Sequence, residues 1–417
     1  MIIRDLTHQL IEKIDYGKIL ILKGARQTGK TTVLKEIQLF LDKKGKHNFY
    51  IAADTDFENK IFKTPEHFLT YLNARKDLTE ELYLLIDEFQ YINNAGQFLK
   101  ILYDQQKGIR FIVSGSSSLE ITKNSEFLTG RKISLLLRRI SFYEFLNFKN
   151  KKLLSQLMNT KLSDWKIIYD VHQTTFESLF TEYSSFGAYP EILITRNLKK
   201  KTDLLNELIL TYLQKDVAGF LKVGNTGAFN RLVKVLVQES GRLLNKSSLS
   251  DVVGISQNTL NHYLDILEGT YVFEFLPPFF TNIRKETSKM KKILVQDLGF
   301  SVALTGKSID VYDDFSGWNA ETSAGLAIRN ALPGNKLFYY RTISKSEIDF
   351  VLKVNEKLIP VEVKFREKVK YPIAFENFMK KYECLKPVVI TKHFFENNNN
   401  VVFLPLPLVE CYFRKWC

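Results

Sequence analysis

Gly24-Ala25-Arg26-Gln27-Thr28-Gly29-Lys30-Thr31 reads G-x-x-x-x-G-K-T, and its reading decides the fold of the first half of the chain. The apolar run Ile19-Leu20-Ile21-Leu22 precedes it, and a helical pattern of Val33, Leu34, Ile37 and Leu41 follows. Strand, glycine-rich loop and helix in that order form the context of a phosphate-binding loop. The amides from Gly24 to Gly29 would face the phosphates, helped by the positive end of the helix dipole. Lys30 would reach the β- and γ-phosphates, the Thr31 hydroxyl would ligate Mg²⁺, and Thr32 ends the binding stretch. ATP with Mg²⁺ is the expected ligand. A glycine-rich turn before an ordinary helix is the plain alternative.

Around the loop, apolar runs at 19–22, 49–53, 82–86, 111–113 and 133–137 alternate with helical patterns. A short helix leads, with Leu6, Leu10, Ile11 and Ile14 on one face. Such alternation predicts a parallel sheet covered by helices on both faces. The ligand then sits at the carboxyl ends of the strands. The run 82–86 ends in Asp87-Glu88. Neighbouring residues of a strand point to opposite sides, so the two carboxylates take different jobs. Asp87 is expected beside the metal with Thr31, and Glu88 is the candidate base for the attacking water. The run 49–53 is expected to intervene between the loop's strand and these carboxylates. Ser114 and Ser116 end the next strand and are candidates to hold the catalytic water or the γ-phosphate. A simple Ser/Gly turn fits them as well. Arg131, with Arg138 and Arg139 behind it, is the candidate for stabilising transition-state charge, in cis or from a second copy, and a basic surface shared with Lys149, Lys151 and Lys152 is the equal alternative.

These stretches together resemble a large prokaryotic family of AAA-type ATPases. The resemblance runs through Leu22-Lys23-Gly24 to Thr31-Thr32, Ile86-Asp87-Glu88-Phe89-Gln90, Ser114-Gly115-Ser116-Ser117, Thr129-Gly130-Arg131 and Ile140-Ser141-Phe142-Tyr143-Glu144-Phe145. It implies ATP hydrolysis centred on Lys30, Thr31, Asp87 and Glu88, and a C-terminal domain of unassigned function. Many AAA ATPases carry asparagine where Ser114 stands here.

Residues 151–225 are helix-rich and aromatic, broken at Phe186-Gly187-Ala188-Tyr189-Pro190-Glu191, and are expected to form a lid and linker. Tyr212-Leu213-Gln214-Lys215-Asp216-Val217 follows on a helix. Both segments resemble landmarks of the same family, with no derivable chemistry. Gly224-Asn225-Thr226-Gly227 marks a boundary. Beyond it, a helix with Leu232, Val235 and Leu236 on one face precedes a short helix, the turn Gly254-Ile255-Ser256 and a third helix from Gln257. Leu260, Leu264 and Leu267 would face inward, and Gln257, Asn258, Asn261 and His262 outward. This is helix-turn-helix spacing, and Gln and Asn can read adenine edges. Strands at 271–276 and 293–296 flank a basic stretch that includes Lys289, Lys291 and Lys292. A hairpin with a cationic tip is a wing suited to phosphates. Winged helices also serve as protein-packing modules.

From 311 the pattern changes. A helix carries Glu321, and paired strands carry Asp349 and then Glu362-Val363-Lys364. Glu362 and Lys364 are two apart and share a strand face. Asp349 and Glu362 would hold Mg²⁺, with Glu321 reaching in and Lys364 positioning or deprotonating water. This E…D…E-x-K order resembles the core of the restriction-endonuclease-like superfamily. A salt-bridge ladder on a surface hairpin is the alternative.

The expected architecture is therefore multidomain α/β. It comprises a P-loop AAA-type core at 1–150, a helical lid at 151–225, a winged helix-turn-helix at 226–310 and a restriction-endonuclease-like domain at 311–417. At 417 residues the chain exceeds one ordinary core. Hydrophobic residues at 45% and charged residues at 25% fit a soluble globular protein with no membrane partner. Met1 to His8 carry no secretion signal, and Cys384, Cys411 and Cys417 show no metal-ligand spacing. A reducing cytoplasm is the expected compartment. The net charge of +13 points to a polyanionic partner, most simply DNA, or to a solvated basic surface.

Overall fold

A computed structural model describes residues 2–55, 60–75, 81–105, 108–116, 128–213, 224–280, 290–342 and 346–415. Lys289, Ser117 and Cys417, named above, lie outside these residues, as do Gln214 to Val217. The chain divides into two compact units. The first holds Met1–Ile140 with Gly269–Tyr271, and the second holds Ser141–Glu268 and Val272–Cys417. The expected boundary at 150 thus falls inside the helix Phe142–Asn159.

In the first unit, β1 (Ile19–Lys23), β2 (Asn48–Ala52), β3 (Leu82–Asp87), β4 (Ile109–Gly115) and β5 (Lys132–Leu136) form one sheet. Its order is β2-β3-β4-β1-β5, and every pairing is parallel. Successive residues of β1 feed opposite faces. Ile19 and Ile21 pack with Phe68, Leu99 and Phe111, whereas Leu20 and Leu22 pack with Val33, Leu34 and Ile37. Burial on both faces explains the unbroken apolar runs of this sheet. One expectation is corrected: the run 49–53 is the edge strand, and β4 is the strand between β1 and the carboxylate strand β3. The crossovers from β1 to β2, β2 to β3 and β3 to β4 each span a helix, so sequence order does not reveal which strand lies in the middle.

The second unit opens with the helices Phe142–Asn159, Trp165–Phe186, Pro190–Ile194 and Leu198–Thr211. Gly187 closes the second of these at φ +80°, and the chain there is crossed by Gly299. A Cβ on Gly299 would lie 2.4 Å from the Gly187 amide nitrogen, so only glycine permits the crossing. Asp297 secures it by accepting the Ala188 amide at 2.8 Å and the Phe300 amide at 3.0 Å. The break at Phe186-Gly187-Ala188 is therefore a packing device.

Three helices follow, Thr226–Gln238, Lys246–Val253 and Gln257–Gly269, with Gly254 at φ +74° ending the second. Then β6 (Phe273–Leu276) and β7 (Lys292–Val295) pair antiparallel, and Lys292 also bridges to Leu243. The helix Gly317–Ala331 leads into a six-stranded mixed sheet, ordered β12-β13-β11-β10-β9-β8. Its strands are β8 (Lys336–Arg341), β9 (Glu347–Val354), β10 (Lys357–Lys364), β11 (Val388–Thr391), β12 (Glu396–Asn397) and β13 (Val402–Pro405). The strands β8, β9 and β10 are antiparallel neighbours, while β10, β11 and β13 run parallel. Phe375 and Phe378 pack on Val351 at one face. Phe350, pointing the other way, meets Gly325 of the helix Gly317–Ala331, where a Cβ would stand 2.9 Å from its ring. No helix among the described residues is long and apolar enough to cross a membrane.

Candidate functional site

The loop at 24–31 joins the carboxyl end of β1 to the helix Lys30–Lys43. Gly29 caps that helix at φ +95°, a left-handed conformation that favours glycine. Gly24 is required for a different reason, since a Cβ there would sit 2.4 Å from the Leu137 carbonyl oxygen. Lys30 is buried and donates to the carbonyls of Gly24 at 3.2 Å and Ala25 at 2.9 Å. The Thr28 hydroxyl donates to the Ala25 carbonyl at 2.8 Å. The loop is thus shaped around its own lysine, at the strand end where ligands of parallel sheets bind.

Arg4 completes the loop, and nothing in the sequence pattern marks it. Its buried guanidinium donates to the Thr28 carbonyl at 2.7 Å, and to the carbonyls of Arg138 at 2.6 Å and Arg139 at 3.3 Å. It ties the phosphate loop to the segment following β5.

Asp87 ends β3, and Glu88 follows it just beyond the strand. Asp87 is 2% exposed. Its Oδ2 accepts the Tyr50 hydroxyl at 3.0 Å, and its Oδ1 accepts the Ser114 hydroxyl and, at 3.1 Å, the Glu88 amide. Ser114 therefore contacts the carboxylate expected at the metal. Glu88 takes a left-handed conformation at φ +51°, so the strand alternation expected to separate the two carboxylates stops at Asp87. The Gln90 amide donates to Glu88 Oε2 and, at 3.0 Å, to Ser116. Like Arg4, Tyr50 and Gln90 hold positions at this site to which the sequence assigned no role. Gln90 stands two places beyond the carboxylate pair, and that was the available signal. The hydroxyl of Thr31 and the carboxylate of Asp87 are hard oxygen donors of the kind Mg²⁺ takes, so the donor set fits the expected ion.

Arg131 is corrected as a contributor from the same chain. It directly precedes β5, and its carbonyl accepts the Ile19 amide at 2.8 Å, at the start of β1. This is the amino end of the strands, opposite the end that carries the loop. Its guanidinium pairs with Asp104 at 2.8 Å.

In the second unit, Gln257, Asn258 and His262 are exposed on the helix Gln257–Gly269, while Leu260, Leu264 and Leu267 are buried. The Asn261 side chain accepts Lys246 Nζ at 2.7 Å. Lys291 is exposed. Lys292 departs from the expectation of a wing cation, because it is 1% exposed and points inward.

The structure brings Glu321, Asp349, Glu362 and Lys364 together, with Lys292 as an unforeseen fifth member. The paired register of β9 and β10 ends at Phe350 and Val361. Beyond it, side chains replace backbone bonding. Asp349 Oδ2 accepts the Val363 amide at 2.8 Å, and Glu362 Oε2 accepts the Asp349 amide at 3.3 Å. Lys364 pairs with Glu362. Lys292 Nζ lies 2.6 Å from Glu321 Oε1, 3.6 Å from Asp349 Oδ1 and 3.7 Å from Glu347 Oε1. Burial, then the Asp349 charge, pushes the Glu321 carboxyl up to about 7 against the pull of Lys292. Burial and Asp349 likewise push Glu362 up to about 7, with Lys364 opposing. Burial opposes the charge on Lys292, but Glu321 and Asp349 outweigh it and hold the ammonium protonated above the ordinary lysine range. This donor set does not fit a divalent ion as folded. An ammonium already lies among the carboxylates, and no group of three His, Cys, Asp or Glu side chains among the described residues is arranged to hold a metal.

Residues 16–146 match the model of an AAA domain. With the loop and carboxylates at the strand ends, this defines the first unit as an AAA-type P-loop ATPase domain. Residues 177–310 and 318–409 match two separate domains of unknown function. An uncharacterized protein of Haemophilus influenzae is 22% identical over 396 residues, 93% of this chain and 92% of that one. An uncharacterized protein of Methanocaldococcus jannaschii is 27% identical over 329 residues, 75% of this chain and 67% of that one. Among solved structures, replication initiator DnaA bound to AMPPCP and single-stranded DNA overlaps with a TM-score of 0.29 at 15% identity, covering 64% of this chain and 90% of that one. Pif1 helicase from Candida albicans overlaps with a TM-score of 0.27 at 16% identity, covering 52% of this chain and 56% of that one. Overlaps this loose fix neither substrate nor partner.

Proposed function

We propose that this protein is a Mg²⁺-dependent ATPase that couples ATP hydrolysis to the engagement of DNA. The observation that carries the ATPase reading is the Gln90-held Glu88 beside Asp87, in the same unit as the phosphate loop. In this reading Lys30 leaves its loop carbonyls to neutralise the β- and γ-phosphates. Thr31 and Asp87 would hold Mg²⁺, which would supply charge neutralisation on the phosphates. Glu88 orients and deprotonates water, Gln90 aims Glu88, and Ser114 and Tyr50 fix Asp87. Residues 151–225 act as lid and linker. Arg131 serves such a site only from a second copy of the chain.

The DNA reading is supported by the helix pair around Gly254, by the exposed Gln257 and Asn258 at the start of its second helix, and by the following hairpin with Lys291. These features fit a winged helix-turn-helix, and the net charge of +13 suits a polyanion. ATP turnover with and without Mg²⁺, paired with duplex DNA affinity measured against salt, tests both halves. Turnover persisting in Lys30→Ala sinks the ATPase half. No DNA affinity at low salt sinks the other half and leaves a protein-assembly ATPase.

A second reading, DNA cleavage by a restriction-endonuclease-like C-terminal domain, is favoured by one observation. Glu321, Asp349, Glu362 and Lys364 meet at the divergence of β9 and β10. That reading requires a divalent ion to displace Lys292 from the carboxylates, and plasmid and branched-DNA cleavage by wild type, lost in Asp349→Ala, is the outcome it needs.

A further inference from the structure

We propose that Lys292 is a built-in cation that occupies the carboxylate cluster of the C-terminal sheet and excludes divalent metal from it. Lys292 sits on β7, paired with Leu276 on one side and bridged to Leu243 on the other. Its backbone is therefore held from both sides. Its ammonium enters the cluster between Glu321, Asp349 and Glu347. Two rings line its path, with Nζ 5.6 Å from the Phe350 centroid and 5.9 Å from that of Tyr339. Aromatic faces and carboxylates together make a seat for a cation.

The elements around this seat are packed too closely to let the lysine drift. Gly325 has no room for a Cβ between the Phe350 ring and Leu294 Cδ1, at 2.9 and 3.2 Å. The Ser240 hydroxyl, 3.1 Å from that of Thr322, also accepts the Val295 amide at 3.1 Å. Hairpin, helix Gly317–Ala331 and β9 thus share one buried contact, with Lys292 at its centre.

A buried ammonium and a divalent ion cannot both occupy the cluster, because like charges in a low-dielectric seat repel strongly. A buried lysine lacking its carboxylates is costly, and so are carboxylates lacking their cation. Each side therefore stabilises the other, and the folded cluster has no need of an external ion. Removing the ammonium while keeping the stem uncovers carboxylates that would then recruit a metal.

The test uses the full chain without nucleotide or DNA, so it does not depend on either part of the proposed function. Mn²⁺ binding is titrated by calorimetry and electron spin resonance on wild type, Asp349→Asn, Lys292→Met and the double variant Lys292→Met/Asp349→Asn. The Asp349→Asn background subtracts any Mn²⁺ held by the ATPase site. Wild type and Asp349→Asn are expected to bind Mn²⁺ equally. Lys292→Met is expected to gain one further ion, at an affinity at least about tenfold above any wild-type binding, and the double variant to lose it again. Asp349-dependent Mn²⁺ binding in wild type overturns the proposal, and so does a folded Lys292→Met that gains no ion. If Lys292→Met does not fold, the comparison of wild type with Asp349→Asn decides by itself: equal binding supports the proposal and unequal binding overturns it.

Discussion

Replacing Arg4 with alanine should weaken ATP binding although Arg4 lies 20 residues before the loop's first glycine. The guanidinium makes one bond to the loop itself, to the Thr28 carbonyl at 2.7 Å, and two to the segment after β5. A hydrogen bond from a charged donor contributes about 1.5–3 kcal/mol. The Thr28 bond alone, if spent on holding the loop in its binding shape, corresponds to roughly a 10–100-fold loss of ATP affinity, at about 1.4 kcal/mol per decade. The bonds to Arg138 and Arg139 add to global stability instead, by about 2 kcal/mol after allowance for water entering the vacated site. The assay is ATP affinity by calorimetry alongside urea denaturation, on wild type, Arg4→Ala and Arg4→Lys. The lysine variant should fall between the others, because one ammonium cannot span three carbonyls. A folded Arg4→Ala that binds ATP as tightly as wild type would refute the reasoning.

Glu88→Gln should retain ATP binding and lose about 10²–10⁴-fold in turnover, the usual reach of a positioned base; single-turnover hydrolysis checks it, and an unchanged rate removes Glu88 from that role. Gln90→Ala should lower turnover less, since it releases the base without deleting it. Gly325→Ala should lower stability by about 1 kcal/mol or more, the overpacking against Phe350 exceeding the gain in helix propensity, and thermal unfolding reads this directly. Glu321 and Glu362 both rise from an ordinary 4.5 to about 7 on folding. The native state therefore binds more protons than the unfolded chain between those values. Their contribution is complete below about pH 4.5 and is lost as pH rises through 7. Urea midpoints at pH 5 and 7.5 should fall more steeply in wild type than in Glu362→Gln; identical slopes contradict the assignment.

What the sequence made legible follows from locality. The phosphate loop is eight consecutive residues, and its glycines are there for reasons of backbone geometry that leave a spelling. The strands around it are buried on both faces, so they appear as apolar runs. Leu260, Leu264 and Leu267 betray a helix face by spacing alone. The order of the sheet was not legible, because a crossover helix allows β4 to enter between β1 and β3 without any local mark. Arg4 was invisible because its partners are carbonyl oxygens, which every residue carries. Lys292 was misplaced for a related reason. It stands in a basic run, and such runs normally face water, but its partners Glu321 and Asp349 lie 29 and 57 positions away. The meeting of Asp349 with Glu362 was legible, since hairpin spacing and strand alternation place them opposite each other.

The most direct test of the account is ATP turnover by the full chain with and without duplex DNA, in wild type and in Lys30→Ala. The account predicts Mg²⁺-dependent turnover that DNA alters at low salt and that Lys30→Ala abolishes. Turnover that survives Lys30→Ala, or that DNA leaves unchanged under conditions where DNA binds, would contradict it.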